Sequence, residues 1–274
     1  MIADLVPVLG PHAASPLGGG DICRAFRVQA AGALYFVKTP NRPDPDMFAV
    51  EAQGLRRLAG VVPGLTPTVV HADERWLVLE WVEQAGATPV AAEALGTRLA
   101  RLHAAPAGPF GQGPQHARIG SLPMECGAYS SWPVMYAEIR LRPLLGADLP
   151  NCRELVDVLG REPEWAGPAE PASLLHGDLW SGNVLWGPQP MLVDPACHVG
   201  HRETDLAMLA LFGAPHLDRV LAAYQEQSPL APDWRDRVAL HQLWPLLVHA
   251  RLFGGGYGPR AEAIAAGYLR RGKV

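Results

Sequence analysis

Asp178, Asn183 and Asp194 are the residues of this 274-residue chain whose types and spacing could do chemistry together. They lie within Leu174 to Pro195, L-L-H-G-D-L-W-S-G-N-V-L-W-G-P-Q-P-M-L-V-D-P, with four residues between Asp178 and Asn183 and a short apolar run ahead of Asp194. That set suits phosphoryl transfer. One carboxylate accepts the proton of an attacking hydroxyl, while an amide oxygen and a second carboxylate hold Mg²⁺ against nucleotide phosphates. Asp178 suits the first role; Asn183 and Asp194 suit the second.

Two short strands must position them. V-L-W at 184–186 and M-L-V at 191–193 flank the turn Gly187-Pro188-Gln189-Pro190, and a hairpin there brings Asn183 and Asp194 to the same end. Two oxygen ligands side by side, with phosphates and water completing the shell, is a common way to hold Mg²⁺. Taken singly, Asp178 reads equally well as a turn residue and Asp194 as a strand end before Pro195. The whole string favours the chemical reading.

A nucleotide also needs a cation and a backbone cradle. Only two of the 23 basic residues are lysines, Lys38 and Lys273, so arginine supplies positive charge nearly everywhere else. Lys38 ends the apolar strand A-L-Y-F-V-K, where a charge is costly without partners, and a compact ammonium is not replaceable there by a planar guanidinium. Ahead of it, Leu17-Gly18-Gly19-Gly20-Asp21 leads into a strand at 25–28 and a turn at Ala30-Ala31-Gly32. A glycine run alone reads as a flexible turn. Followed by a lysine strand, Gly18, Gly19 and Gly20 read as N–H donors for phosphate.

The string H-G-D-L-W-S-G-N, then D-P-A, then G-H-R-E-T-D-L-A-M-L-A-L-F-G at 200–213, resembles the fructosamine kinase (ketosamine-3-kinase) family, within the wider aminoglycoside phosphotransferase and choline kinase group. The H-G-D-x-x-x-x-N core indicates only the wider group; Trp180, the D-P-A triplet and the G-H-R-E block narrow it. The resemblance implies an α+β, bilobal protein-kinase-like fold, with a small antiparallel-sheet lobe over residues 1–83 and a larger, mostly helical lobe over 84–274. It implies ATP and Mg²⁺ as cofactors and the 3-hydroxyl of a ketosamine, free or protein-bound, as acceptor. It maps a lysine-orienting role onto Glu51, which otherwise reads as an exposed helix charge. It places Glu80, Trp81 and Val82 at the nucleotide hinge, and Trp180, His201 and Arg202 on the substrate side, where Trp180 either stacks on a sugar or simply packs. His176 is expected to bond the backbone around Asp194. Asp205 either fixes the catalytic loop through backbone hydrogen bonds or merely suits a helix's first turn. The family's loop cysteine has no counterpart at Asp21, and Cys23 lies two residues on, which puts loop redox chemistry in doubt.

The flanking elements follow from periodicity. Helices are expected at 46–59 and 90–103, a strand pair at 69–71 and 76–82, and further helices at 131–146, 151–161, 203–212, 216–226, 234–253 and 259–271. Residues 104–130 are rich in Gly and Pro and too long for a passive connection, which suggests a substrate-covering loop. Gln115-His116-Ala117-Arg118 departs there from the family's asparagine-rich pattern.

A net charge of −4 argues against a nucleic-acid partner, and no apolar run reaches membrane-spanning length. The N-terminus shows no export signal, so a cytoplasmic location is expected, and a monomer is expected as well. The four cysteines lack C-x-x-C pairs, and no histidine is expected to bind metal. Two rivals stay open: an aminoglycoside- or choline-type phosphotransferase with the same core, and a non-catalytic nucleotide binder.

Overall fold

The computed structural model describes residues 5–18 and 22–271. The described residues open with a short helix α1 (Val6–Leu9) and strand β1 (His12–Leu17). Strands β2 (Cys23–Ala30) and β3 (Ala33–Pro40) form a hairpin longer than the alternation suggested. Its two turn residues, Ala31 and Gly32, both adopt positive φ, as a tight two-residue hairpin requires. Helix α2 (Met47–Val61) and the pair β4 (Val69–Ala72) and β5 (Leu77–Glu80) follow, and the five strands form one antiparallel sheet in the order β1-β2-β3-β5-β4.

The two-residue period of the strands gives this sheet two apolar faces. Phe36, Leu77 and Leu79 pack on Phe48, Ala52 and Leu55 of α2, while Val28, Val37 and Val78 pack on Leu5 and Trp76. Lys38 has the parity of Phe36, so its side chain leaves β3 on the α2 side.

An extended segment after β5 leads into α3 (Pro89–Ala104), which Thr88 caps by accepting the Ala91 N–H at 3.1 Å. The long connection that follows holds a two-residue hairpin, β6 (Arg118–Ile119) and β7 (Leu122–Pro123). Helix α4 (Trp132–Met135) continues as a π turn to Leu141 and a 3₁₀ turn to Leu144, in place of the regular helix expected over 131–146. Helix α5 (Pro150–Arg161) comes next. Then β8 (Ser173–Leu175), β9 (Val184–Leu185), β10 (Met191–Leu192) and β11 (His198–Gly200) carry the central loops, with β9 paired to β10 and β8 to β11. The β8–β11 pairing was not apparent from the sequence, because three-residue buried strands have no period to read.

The remainder is helical: α6 (Glu203–Leu211), α7 (Leu217–Gln227), α8 (Trp234–His241), α9 (Leu243–Phe253) and α10 (Tyr257–Arg271). One helix was expected over 234–253; the chain makes two. Pro245 has no N–H and its ring would clash with the carbonyl of His241, one turn back. The buried Tyr136 hydroxyl repairs the break, donating to the Leu240 carbonyl at 2.8 Å and accepting the Trp244 N–H at 3.1 Å. Among the described residues no helix is long and apolar enough to cross a membrane.

Candidate active site

The β9–β10 hairpin sets the first geometry. Leu192 pairs with Val184 and the Val193 N–H donates to the Asn183 carbonyl at 3.0 Å, so Asn183 and Asp194 sit at one end of the hairpin. Asp178 reaches the same place through a tight loop. Gly177 has φ +82°, and a Cβ there would collide with the Ala196 carbonyl, so the H-G-D turn admits only glycine at its centre. The Asn183 amide donates to the Asp178 carbonyl at 2.8 Å and to its Oδ2 at 3.1 Å. Those bonds use Asn183 Nδ2 and leave Oδ1 as the atom able to ligate a cation.

Strand β3 and helix α2 bring the cation. Lys38 Nζ donates to Glu51 Oε1 at 2.9 Å and to Asp194 Oδ1, binding both carboxylates at once. Burial works against the ammonium, yet the two carboxylates outweigh it and hold Lys38 above its ordinary range. Burial likewise raises Glu51, whereas for Asp194 the Lys38 charge overcomes burial and keeps the carboxyl below its usual range. Asp194 takes a left-handed backbone (φ +57°), and 45% of its side chain remains open. Asp178 behaves differently: burial, then the neighbouring Asp194 charge, push it up to about 7 despite the Asn183 bond. A carboxyl poised there suits proton acceptance.

The loop is fixed from behind. Asp205, fully buried, accepts the N–H groups of His176 at 2.8 Å and Gly177 at 2.9 Å, and lies 3.2 Å from His103 Nε2. Although burial would raise it, these bonds hold Asp205 below its ordinary value. His176 Nε2 donates to the Val193 carbonyl at 2.9 Å, next to Asp194, and burial keeps the ring neutral by lowering its pKa. His103 is a contributor that the sequence hid, since one histidine at the end of an amphipathic helix carries no signal.

The other expected residues have these surroundings. Gly18 ends the segment after β1, while Gly19, Gly20 and Asp21 lie outside the described residues. Cys23 Sγ donates to the Met47 sulfur at 3.6 Å, and burial pushes its thiol up to about 11, which disfavours the reactive thiolate. At the end of β5, the Glu80 and Trp81 N–H groups bond the Thr68 and Leu34 carbonyls. Trp180 is 40% exposed and meets Phe212 edge-on at 6.2 Å. His201 and Arg202 are not brought to this cluster. Arg202 forks onto Glu170 at 2.6 and 2.7 Å and donates to the Ser228 hydroxyl and the Pro229 carbonyl, tying down the end of α7. His201 is buried beside Trp132, Glu203 and His241. Glu203, two residues beyond His201, meets both histidines, but the Arg237 fork occupies both its oxygens at 2.6 and 3.0 Å, and a guanidinium there opposes a bound cation.

The cluster thus joins a raised carboxyl, two hard oxygen ligands and a paired lysine. Asn183 Oδ1 and Asp194 fit a small divalent cation that prefers oxygen.

Comparison with known proteins narrows this chemistry. A family model described as fructosamine kinase matches residues 7–271. A Lactiplantibacillus plantarum protein named as a probable ketoamine kinase is 34% identical over 96% of each chain. A solved structure assigned as fructosamine-3-kinase from Thermobifida fusca superposes with a TM-score of 0.88 at 41% identity, covering 98% of each chain. An aminoglycoside phosphotransferase superposes at 0.65 over 99% of each chain with 17% identity, which shows the shared protein-kinase-like fold alone.

Proposed function

This chain belongs to the fructosamine kinase family, and from that premise we propose that it transfers the γ-phosphoryl group of ATP to the 3-hydroxyl of a ketosamine, a fructosamine or ribulosamine. The observation that carries this reading is the convergence of Asp178, Asn183, Asp194 and the Lys38–Glu51 pair on one point of the fold.

Each residue has a task in this reading. Asp178 accepts the proton of the sugar hydroxyl as its oxygen attacks. Lys38 is held by Glu51 and offers its ammonium to the phosphates, exchanging part of its bond with Asp194 for them. Gly18 to Gly20 supply N–H groups to the phosphates, and the backbone of Glu80, Trp81 and Val82 takes the adenine. Asn183 Oδ1 and the Asp194 carboxylate hold Mg²⁺, which when bound neutralises charge on the phosphate oxygens. Trp180 covers the sugar face. Asp205 and His176 keep the loop in register, and the 3-phosphate that forms destabilises the amine adduct, giving a deglycation activity.

The test is ATP consumption by the purified chain with a panel of ketosamines, aminoglycosides and choline, beside Asp178→Asn. Turnover should require a ketosamine and fall by several orders of magnitude in the variant. No ketosamine-dependent turnover, or a tenfold preference in kcat/KM for choline or an aminoglycoside, would reject the reading.

A further inference from the structure

We propose that the cavity beyond the far end of the β8–β11 pair is a second binding site, shaped for a neutral, monosaccharide-sized polyol and separate from the phosphoryl-transfer centre. The cavity encloses about 370 Å³, the size of a small-metabolite site. Gly200 pairs with Ser173 at that end, whereas His198 pairs with Leu175 at the end that runs into His176 and Asp178. The β8 strand therefore separates cavity from catalytic loop.

Its chemistry is that of a built site. His201 is 3% exposed and lines the cavity. Its Nδ1 accepts the Glu203 N–H at 3.2 Å, so the ring proton sits on Nε2. That Nε2–H faces Glu170 Oε2 at 3.7 Å, beyond hydrogen-bond range. With no protein acceptor at bonding distance, this donor on an otherwise buried ring opens onto the cavity, where a ligand oxygen can take the place of water. Ser130 and Ser131, whose hydroxyls can donate and accept, line it together with the aromatic residues Trp132 and Phe110.

Charge selects the class. The Glu170 carboxylate lines the cavity but is neutralised by the Arg202 fork, so the interior carries little net charge to attract an amine. Glu164, at the exposed rim, adds a second carboxylate and disfavours phosphates and acids. A neutral sugar satisfies both conditions. Its hydroxyls can donate to Glu170 and accept from His201 and the serines, while its C–H face packs on the aromatic walls.

The site does not depend on the kinase reading, and binding is the readout. The full chain is titrated with D-fructose and D-glucose by saturation-transfer NMR and tryptophan fluorescence. Saturable binding on the order of millimolar is expected, retained in Asp178→Asn and Trp180→Ala and weakened roughly tenfold or more in Ser130→Trp, which fills the mouth. Pro168→Trp, on another exposed part of the rim, gives the same readout if Ser130→Trp folds poorly. Binding lost in Trp180→Ala but kept in the rim variants would place the sugar at the catalytic loop and overturn the proposal. So would no saturable binding to the wild type, or tighter binding of choline or glucose 6-phosphate than of either hexose.

Discussion

Arg118 grips both oxygens of Asp44, fastening the connection between α3 and α4 to the start of α2. Gly120, at the tip of the β6–β7 hairpin, lies against Leu252 of α9 and close to Ile22, just past the glycine run. The segment read from composition as a covering loop is thus tied to the sheet on one side and to the helices on the other. Arg118 stands where the sequence departs from the family's asparagine-rich pattern.

If the strap covers substrate, Arg118→Ala should raise the acceptor KM several-fold and change kcat less, because the contact positions a loop rather than the reacting atoms. The pair is about a quarter exposed (21% and 27%), so its own stability contribution is small, about 0.5–1 kcal/mol. Steady-state kinetics of Arg118→Ala, Asp44→Ala and the double variant check this. Additive effects on KM would show that the two residues do not act as one strap.

Asp205 supports the catalytic loop through two backbone N–H groups at once. Asp205→Asn keeps one acceptor oxygen but puts an amide donor opposite a backbone N–H, leaving that buried group unsatisfied at about 1–3 kcal/mol. A stability loss of a few degrees in Tm is expected for a chain of this size. Because the loop carries Asp178, kcat should fall by roughly 10- to 100-fold, the scale of a displaced catalytic group. A variant that melts lower yet turns over normally would make Asp205 a stability residue only.

The sequence made part of this legible and hid the rest for physical reasons. Residues in one short string, such as Asp178, Asn183 and Asp194, are held by local turns and a hairpin, so spacing predicts their meeting. The meeting of Lys38 with Asp194, 156 positions apart, depends on how the sheet docks on the hairpin, which no local period encodes. His201 and Arg202 sit in a telling motif, but their ion-pair and ring partners, Glu170 and Trp132, come from distant segments that no local spacing encodes. The α8–α9 break was readable from Pro245 and was missed because the apolar stripe runs through it.

His198 should make the protein acid-sensitive. Burial, helped by the Arg140 charge, lowers its pKa to about 3, while its Nδ1–H bonds the Ala196 carbonyl at 2.8 Å and its ring meets Trp244 edge-on. Its ordinary value is 6.5, so below that pH the unfolded chain binds a proton that the folded chain refuses. Stability from this group is complete above about pH 6.5 and falls by about 1.4 kcal/mol per pH unit down to about pH 3. Asp178, raised to about 7, pulls the other way, and Glu203, lowered to about 2, adds nothing between pH 7 and 5. The comparison is therefore between wild type and His198→Gln, measured as Tm at pH 7 and pH 5. Wild type should lose about 2 kcal/mol more than the variant over that interval; parallel curves would remove His198 from the acid response.

Lys38 carries the sharpest prediction, because its ammonium bonds Glu51 and Asp194 simultaneously in a space only 12% exposed. Lys38→Arg keeps the charge and changes the shape: a planar fork cannot sit as a point between two carboxylates and still reach phosphate. The two carboxylates retain a cation, so the fold should survive, with Tm changed by a few degrees at most. Turnover at saturating Mg-ATP should drop by roughly two or more orders of magnitude, the scale of one lost electrostatic contact in a transition state. Steady-state kinetics beside thermal melts separate the outcomes. Near-normal kcat would remove Lys38 from the phosphate site, and a collapsed melt would make it a structural counter-ion for Glu51 and Asp194.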